Sequence, residues 1–228
     1  MGLTGATLVR SVAGGGRGAL VALVAALSAS PLLTPQLLAF PHSARSGDSL
    51  VWAERPLDQA ELDRIVARAE ALVAASPLAR EREPRRIFLT DGGWRWTWLA
   101  NVTRGSFALT RALTDPVVIV NRSDLAGDAV VNGVGARRRL SSVIAHETTH
   151  VMLRRRFGRI AMAGKPQWLV EGYCDYIARE SSLDAREAAA LESRGERHPA
   201  LLYYHGRRRV AAMLTENGGD VEELFAAH

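Results

Sequence analysis

Cysteine and lysine are almost missing from this chain of 228 residues: it holds one cysteine, Cys174, and one lysine, Lys165. A single thiol excludes an intramolecular disulfide, so stability has to come from an apolar core, in which the thiol is expected to be buried. Basic residues are otherwise arginines, and the formal net charge is +5. So one-sided a choice of cation reflects genome composition better than it reflects a nucleic-acid surface. The runs Arg137–Arg139, Arg154–Arg156 and Arg207–Arg209 are separated, and no nucleic-acid motif accompanies them. They read as solvated faces, and nucleic acid is not an expected partner. No internal repeat occurs, and 47% hydrophobic residues places the chain among globular proteins.

Acidic residues are absent before Asp48. Arg10 and Arg17 precede the apolar run Ala19–Leu27. A positive flank followed by an apolar run reads as a secretory signal. Continued through Phe40, the run is long enough to span a bilayer, although Pro31 and Pro35 interrupt it. Residues 1–40 are therefore expected to be a signal peptide or a membrane anchor. No cysteine lies near residue 30 to carry a lipid. Positive charge ahead of the run predicts that the remainder lies outside the cytoplasm.

Histidine is also scarce, at six residues, yet two of them stand in His146-Glu147-Thr148-Thr149-His150. On a helix, positions i and i+4 lie one above the other, so both imidazoles address one point. Two neutral imidazoles are good zinc ligands and leave room for a third ligand and a water. Glu147 then stands where it can take a proton from that water. Ser141 or Ser142 is the candidate N-cap of this helix, and Gly158 its stop. Downstream, Gln167–Tyr176 reads as a second helix with Pro166 at its first position. The intervening chain suffices to leave the first helix, turn, and return antiparallel with Glu171 facing the metal. Asp175, one turn on, can accept the free ring N–H of a zinc-bound histidine. An ordinary helix ion pair to Arg179 is the other use for it.

The pattern His146-Glu147-x-x-His150 followed by Trp168-x-x-Glu171-Gly172 resembles the gluzincin metallopeptidases, the thermolysin-like and aminopeptidase-like zinc hydrolases. The resemblance spans about residues 85–225, and strictly only the two motif helices. It implies zinc held by His146, His150 and Glu171, with Glu147 as catalytic base and Asp175 as the acid behind a ligand. It also implies a Tyr or His on a later helix that steadies the oxyanion. Tyr204 fits this role best, with Tyr203 and His205 as rivals. Two features depart from the pattern. The part before the zinc helix is short, and Cys174 sits beside the ligand glutamate.

Scaffold signals complete the reading. Residues 41–55 read as linker and residues 56–228 as the zinc metallopeptidase-like domain. Asp58 and Glu61 form a capping box for a helix running to about Ala75, with an apolar stripe of Leu62, Ile65, Val66, Ala69, Leu72 and Val73. Strands are expected at Arg86–Thr90, Trp94–Trp98, Ser106–Thr110 and Pro116–Asn121. Helices are expected from Ser141 onward, including Ser182–Arg194, Arg207–Asn217 and Val221 to the end. The fold class is thus α+β: a small, mainly antiparallel sheet, then a helical half carrying the zinc, behind an N-terminal apolar targeting helix. Val117–Asn121 is taken as an edge strand that could hold an extended peptide. The expected function is a zinc-dependent peptidase acting on a peptide or protein, with membrane association through the N-terminal segment. The alternative is a non-catalytic, membrane-anchored zinc-binding or interaction protein, though such a protein has no use for Glu147.

Overall fold

The computed structural model describes residues 12–111 and 116–228. The chain divides into two compact units, one ending at Ala39 and one running from Phe40 to His228. The first contains helix α1 (Val12–Leu33), with Pro31 in its last turn, and a short 3-10 turn at Pro35–Leu38. Leu20, Val21, Leu23 and Val24 of α1 are exposed. Among the described residues no helix is long and apolar enough to cross a membrane. Arg10 lies outside the described residues.

The second unit is α+β with a mixed sheet, not a mainly antiparallel one. Strands β1 (His42–Ser46) and β2 (Ser49–Ala53) form a hairpin around Gly47, whose φ of +52° suits a residue without a Cβ. Helix α2 (Gln59–Ala74) leads to β3 (Arg86–Leu89). Helix α3 (Trp94–Ala100) follows, then β4 (Ala108–Thr110) and β5 (Val117–Val120). The order is β1-β2-β3-β5-β4, parallel across β2/β3 and β3/β5 and antiparallel at both margins. Residues 117–120 are all fully buried, the unbroken apolar run of a strand covered on both faces. This corrects their placement at an edge: β5 is interior, and β1 and β4 are the edge strands.

Two further expectations are corrected. Residues 41–55 are not linker but the β1/β2 hairpin. Its inward positions include Ser46 and Ser49, small polar residues that hide the apolar alternation. Trp94–Trp98 is helix rather than strand. The Asp91 carboxylate accepts the Gly93 N–H at 3.0 Å in the preceding turn, and Trp96, Leu99 and Ala100 then turn inward at helical spacing. Trp94 and Trp98 remain 59% and 46% exposed, so the three tryptophans do not share a face.

A small antiparallel sheet of β6 (Arg122–Asp124), β7 (Ala129–Val131) and β8 (Arg137–Arg139) delivers the chain into α4 (Leu140–Phe157). The α4 N-terminus is not capped by its own serines. Asp128 accepts from the Ser141 N–H and from the Ser141 hydroxyl, both at 2.8 Å. Gly158, at φ +88°, ends the helix as expected. The core lies between the main sheet, α2 and α4. Leu62, Ile65, Val66 and Ala69 of α2 are buried there with Val118, Val120, Val143 and Ile144, and Val73 packs with Ala145 and Met152. The α2 cap is half the expected box: Asp58 accepts the Glu61 N–H, but the Glu61 carboxylate pairs with Arg64.

The helical half comprises α5 (Arg159–Ala163), α6 (Gln167–Ala178), α7 (Ala185–Ser193), α8 (Pro199–Glu216) and α9 (Val221–Ala226). Helix α8 begins a full two turns before the expected Arg207, with Pro199 in its first turn and His198 capping it. Helices α6 and α8 meet at Gly172 and Gly206. A Cβ on Gly172 would land on the Gly206 backbone, and one on Gly206 would land on the Trp168 carbonyl. Backbones this close leave no room for even one methyl group. Gly206→Ala should therefore lower the free energy of unfolding by roughly 1–3 kcal/mol, the usual cost of overpacking. A urea midpoint unchanged from wild type would count against this backbone contact.

Candidate metal centre

Helix α4 is buried along most of its length because it is clamped between α2 on one side and α6 on the other. That clamp takes His146 and Glu147 out of water and leaves His150 partly open. The two imidazoles stand one turn apart, with ring centroids 5.0 Å from each other. Helix α6 brings Glu171 against them. Its Oε2 lies 3.2 Å from His146 Nε2 and 3.5 Å from His150 Nε2. A tetrahedral ion with ligand bonds of zinc length separates its donors by about 3.3 Å. Glu171 thus stands at ligand spacing from both histidines, and the three residues could hold a tetrahedral metal ion.

Asp175 lies on the same face of α6, fully buried. It does not pair with Arg179, which ends the helix in a left-handed conformation at φ 52°. Instead its Oδ1 accepts from His146 Nδ1 at 2.8 Å and from Arg138 at 2.9 Å. The bond to Nδ1 turns Nε2 toward Glu171, which fixes the tautomer a metal needs. Arg138 was expected on a solvated face, yet it is buried in the middle of its run, while Arg137 and Arg139 are exposed.

The charged groups at the centre shift one another's protonation. Burial opposes charge on His146, but hydrogen bonds to Asp175 and Glu171 outweigh it and raise its pKa to about 10. Burial also opposes charge on Glu171, and the hydrogen bonds from both histidines overcome it, holding this carboxyl well below the usual range. For Asp175 burial is again opposed, first by Arg138 and then by His146, and the net shift is downward. One buried carboxylate, Asp175, and one half-buried carboxylate, Glu171, thus favour positive charge on the imidazole between them.

Glu147 faces a cleft of about 1220 Å3. The Thr110 hydroxyl, at the end of edge strand β4, donates to its Oε2 at 2.6 Å. The cleft is lined by residues 105–110, by the tip of the β7/β8 hairpin, by α7 and by the start of α8. Tyr203 is the tyrosine that lines it, rather than the expected Tyr204. The Tyr204 hydroxyl accepts from Arg208 at 3.3 Å, and His205 pairs with Glu192 at 2.8 Å, so neither rival is turned to the metal centre. Burial, with Glu171 and Asp175 adding to it, pushes the Tyr203 phenol up to about 12 and keeps it a proton donor. Cys174 is fully buried on α6, one turn from Glu171. Burial pushes its thiol well above its ordinary value, and the carboxylates of Glu171, Glu147 and Asp175 add to the rise.

Thr110 and Arg138 were not legible as site residues. Thr110 belongs to a strand with no motif, and Arg138 stands in a run of three identical residues. Comparison of the chain with protein-family models, curated proteins and solved structures finds no match.

The geometry predicts that the protein takes up one zinc per chain, and that His146→Ala, His150→Ala or Glu171→Ala abolishes tight binding. Asp175→Asn should weaken zinc affinity by about 10–100-fold, the usual effect of losing a partner behind a metal-bound histidine. Competition with a chromogenic chelator measures both. Full affinity in Asp175→Asn would mean that the bond to His146 Nδ1 does not orient the ring.

Proposed function

We propose that this chain is a zinc-dependent peptidase, with His146, His150 and Glu171 as ligands and Glu147 as general base. The observation that carries the reading is Glu147 itself. It is a carboxylate on the ligand helix, held by Thr110 and turned to an open cleft, where a purely structural metal site needs no such group. Bound zinc supplies Lewis acidity toward a substrate carbonyl and toward water. The rest falls to the chain's own groups. Glu147 accepts the proton of the attacking water and hands it to the leaving amine. Thr110 keeps one carboxylate oxygen in place, so the other is presented to the cleft. Tyr203 donates its phenolic hydrogen to the developing oxyanion. Edge strand β4 offers unpaired backbone groups to an extended peptide, and the cleft is large enough for several residues of it.

Glu147→Gln preserves shape and the three ligands. It should keep zinc and lose peptide hydrolysis by about two to four orders of magnitude. Tyr203→Phe should cost roughly two to three orders in turnover with substrate binding little changed, while Tyr204→Phe stays near wild type. Steady-state kinetics on a peptide library reads all three. Undiminished hydrolysis in Glu147→Gln would sink the mechanism. No hydrolysis by the zinc-loaded wild type would favour a non-catalytic binding protein.

We also place the peptidase unit outside the cytoplasm, with residues 1–40 as export signal or tether, on the strength of Arg10, Arg17 and the acid-free leader. A periplasm- or lumen-specific reporter fused after His228 should be active. Activity of a cytoplasm-specific reporter alone would overturn the placement.

A further inference from the structure

Helix α6 turns three chemically different groups toward α4 within a little more than one turn: Glu171, Cys174 and Asp175. Glu171 meets the Nε2 atoms of both histidines, and Asp175 meets His146 Nδ1. Cys174 lies between them in sequence and is fully buried. Its sulfur and one ring nitrogen from each of His146 and His150 all lie within 4.8 Å of one another. Two donor sets therefore share one pair of imidazoles. One ends in a carboxylate oxygen, the other in a sulfur.

These sets differ in spacing and in taste. The carboxylate is already at the donor separation of a small tetrahedral ion, and the sulfur lies within 4.8 Å of a nitrogen of each ring. A metal–sulfur bond is the longer one, about 2.3 Å against about 2.0–2.1 Å for nitrogen. Oxygen donors favour hard ions, thiolates favour soft ones, and zinc accepts both. A packing role alone would be served by any small apolar residue, which would bring no donor to this point. The difference matters for function, because a hydrolytic site needs one corner free for water, and four protein ligands make a closed site.

We propose that Cys174 is a further protein ligand of the same metal centre, binding through its thiolate in addition to His146, His150 and Glu171. The inference rests on the zinc reading above. In this state the thiol would give up its proton to solvent and its sulfur would hold the metal. The centre then has two modes on one pair of histidines. The carboxylate mode is open and hydrolytic, and the sulfur-bearing mode is closed and preferred by thiophilic ions such as Cd2+.

Cobalt(II) reports the difference directly, because a thiolate ligand adds a sulfur-to-metal charge-transfer band in the near ultraviolet that nitrogen and oxygen ligands do not give. The full chain is loaded with Co2+ and its absorption compared with that of Cys174→Ser and Cys174→Ala. The expected result is a near-ultraviolet band in the wild type that is lost in both variants, while the visible ligand-field bands persist. Cd2+ should likewise displace Co2+ more readily from the wild type than from either variant. Bound cobalt with visible bands but no charge-transfer band in the wild type overturns the proposal and leaves the peptidase reading standing. This measurement needs no variant to fold. Failure of the wild type to bind cobalt at all removes both.

Discussion

A charged carboxylate sealed away from water is the constraint around which the second unit is organised. Asp175 has no access to solvent, and a buried charge is tolerated only where partners replace its hydration. Those partners come from two other elements: Arg138 from β8 and His146 from α4. One side chain of α6 therefore ties the small sheet, the ligand helix and itself together. Arg138 also donates to the Glu180 carbonyl at 3.0 Å, which holds the chain leaving α6 to the same point. The orientation of one histidine ring is thus built into the tertiary structure and not left to rotamer preference. Asp128 performs a comparable service at the start of α4, where it holds Ser141 and pairs with Arg68 of α2. The start and the middle of the buried stretch of α4 are each fixed by a carboxylate from outside the helix.

The two helices that carry the candidate ligands were legible because their spacing is local. His146, Glu147 and His150 lie within five positions, and Glu171 and Asp175 share one helical face, so spacing alone brings them together. The α2 stripe was legible for the same reason. What depends on pairing across the fold was not legible. The parallel strand order requires knowing which strand β3 pairs with, and Thr110 reaches Glu147 only because β4 is an edge strand running past α4. Tyr203 and Tyr204 are adjacent, and their roles separate only when α8 is seen to begin at Pro199, which sets the face each ring occupies. Trp94–Trp98 misled because alternating tryptophans satisfy a strand pattern. In the fold one of them is inward and two are outward, which is helical geometry.

Electrostatics and access are divided between the two sides of the centre. Behind His146 lie Asp175 and Arg138, paired with each other and shut off from water. In front lie His150, Glu147, Thr110 and Tyr203, which border the cleft. Low dielectric on the closed side strengthens the hydrogen bonds that orient the ligands. The open side keeps the groups that would exchange protons within reach of solvent. The same two helices supply both sides, α4 through successive residues and α6 through successive turns.

The glycine contact between α6 and α8 acts as a ruler. Gly172 directly follows Glu171, and Gly206 lies three residues after Tyr203, so the backbone contact fixes the phenol relative to the ligand carboxylate. Ordinary side-chain drift cannot lengthen that interval by a little, since the smallest possible change is a whole methyl group driven into backbone. The span between metal ligand and tyrosine is therefore held to one value by backbone contact, while the opposite wall, built from α7 and the tip of the β7/β8 hairpin, is free to vary in side-chain size. Divergence in what the cleft accepts is expected to be written on that wall alone.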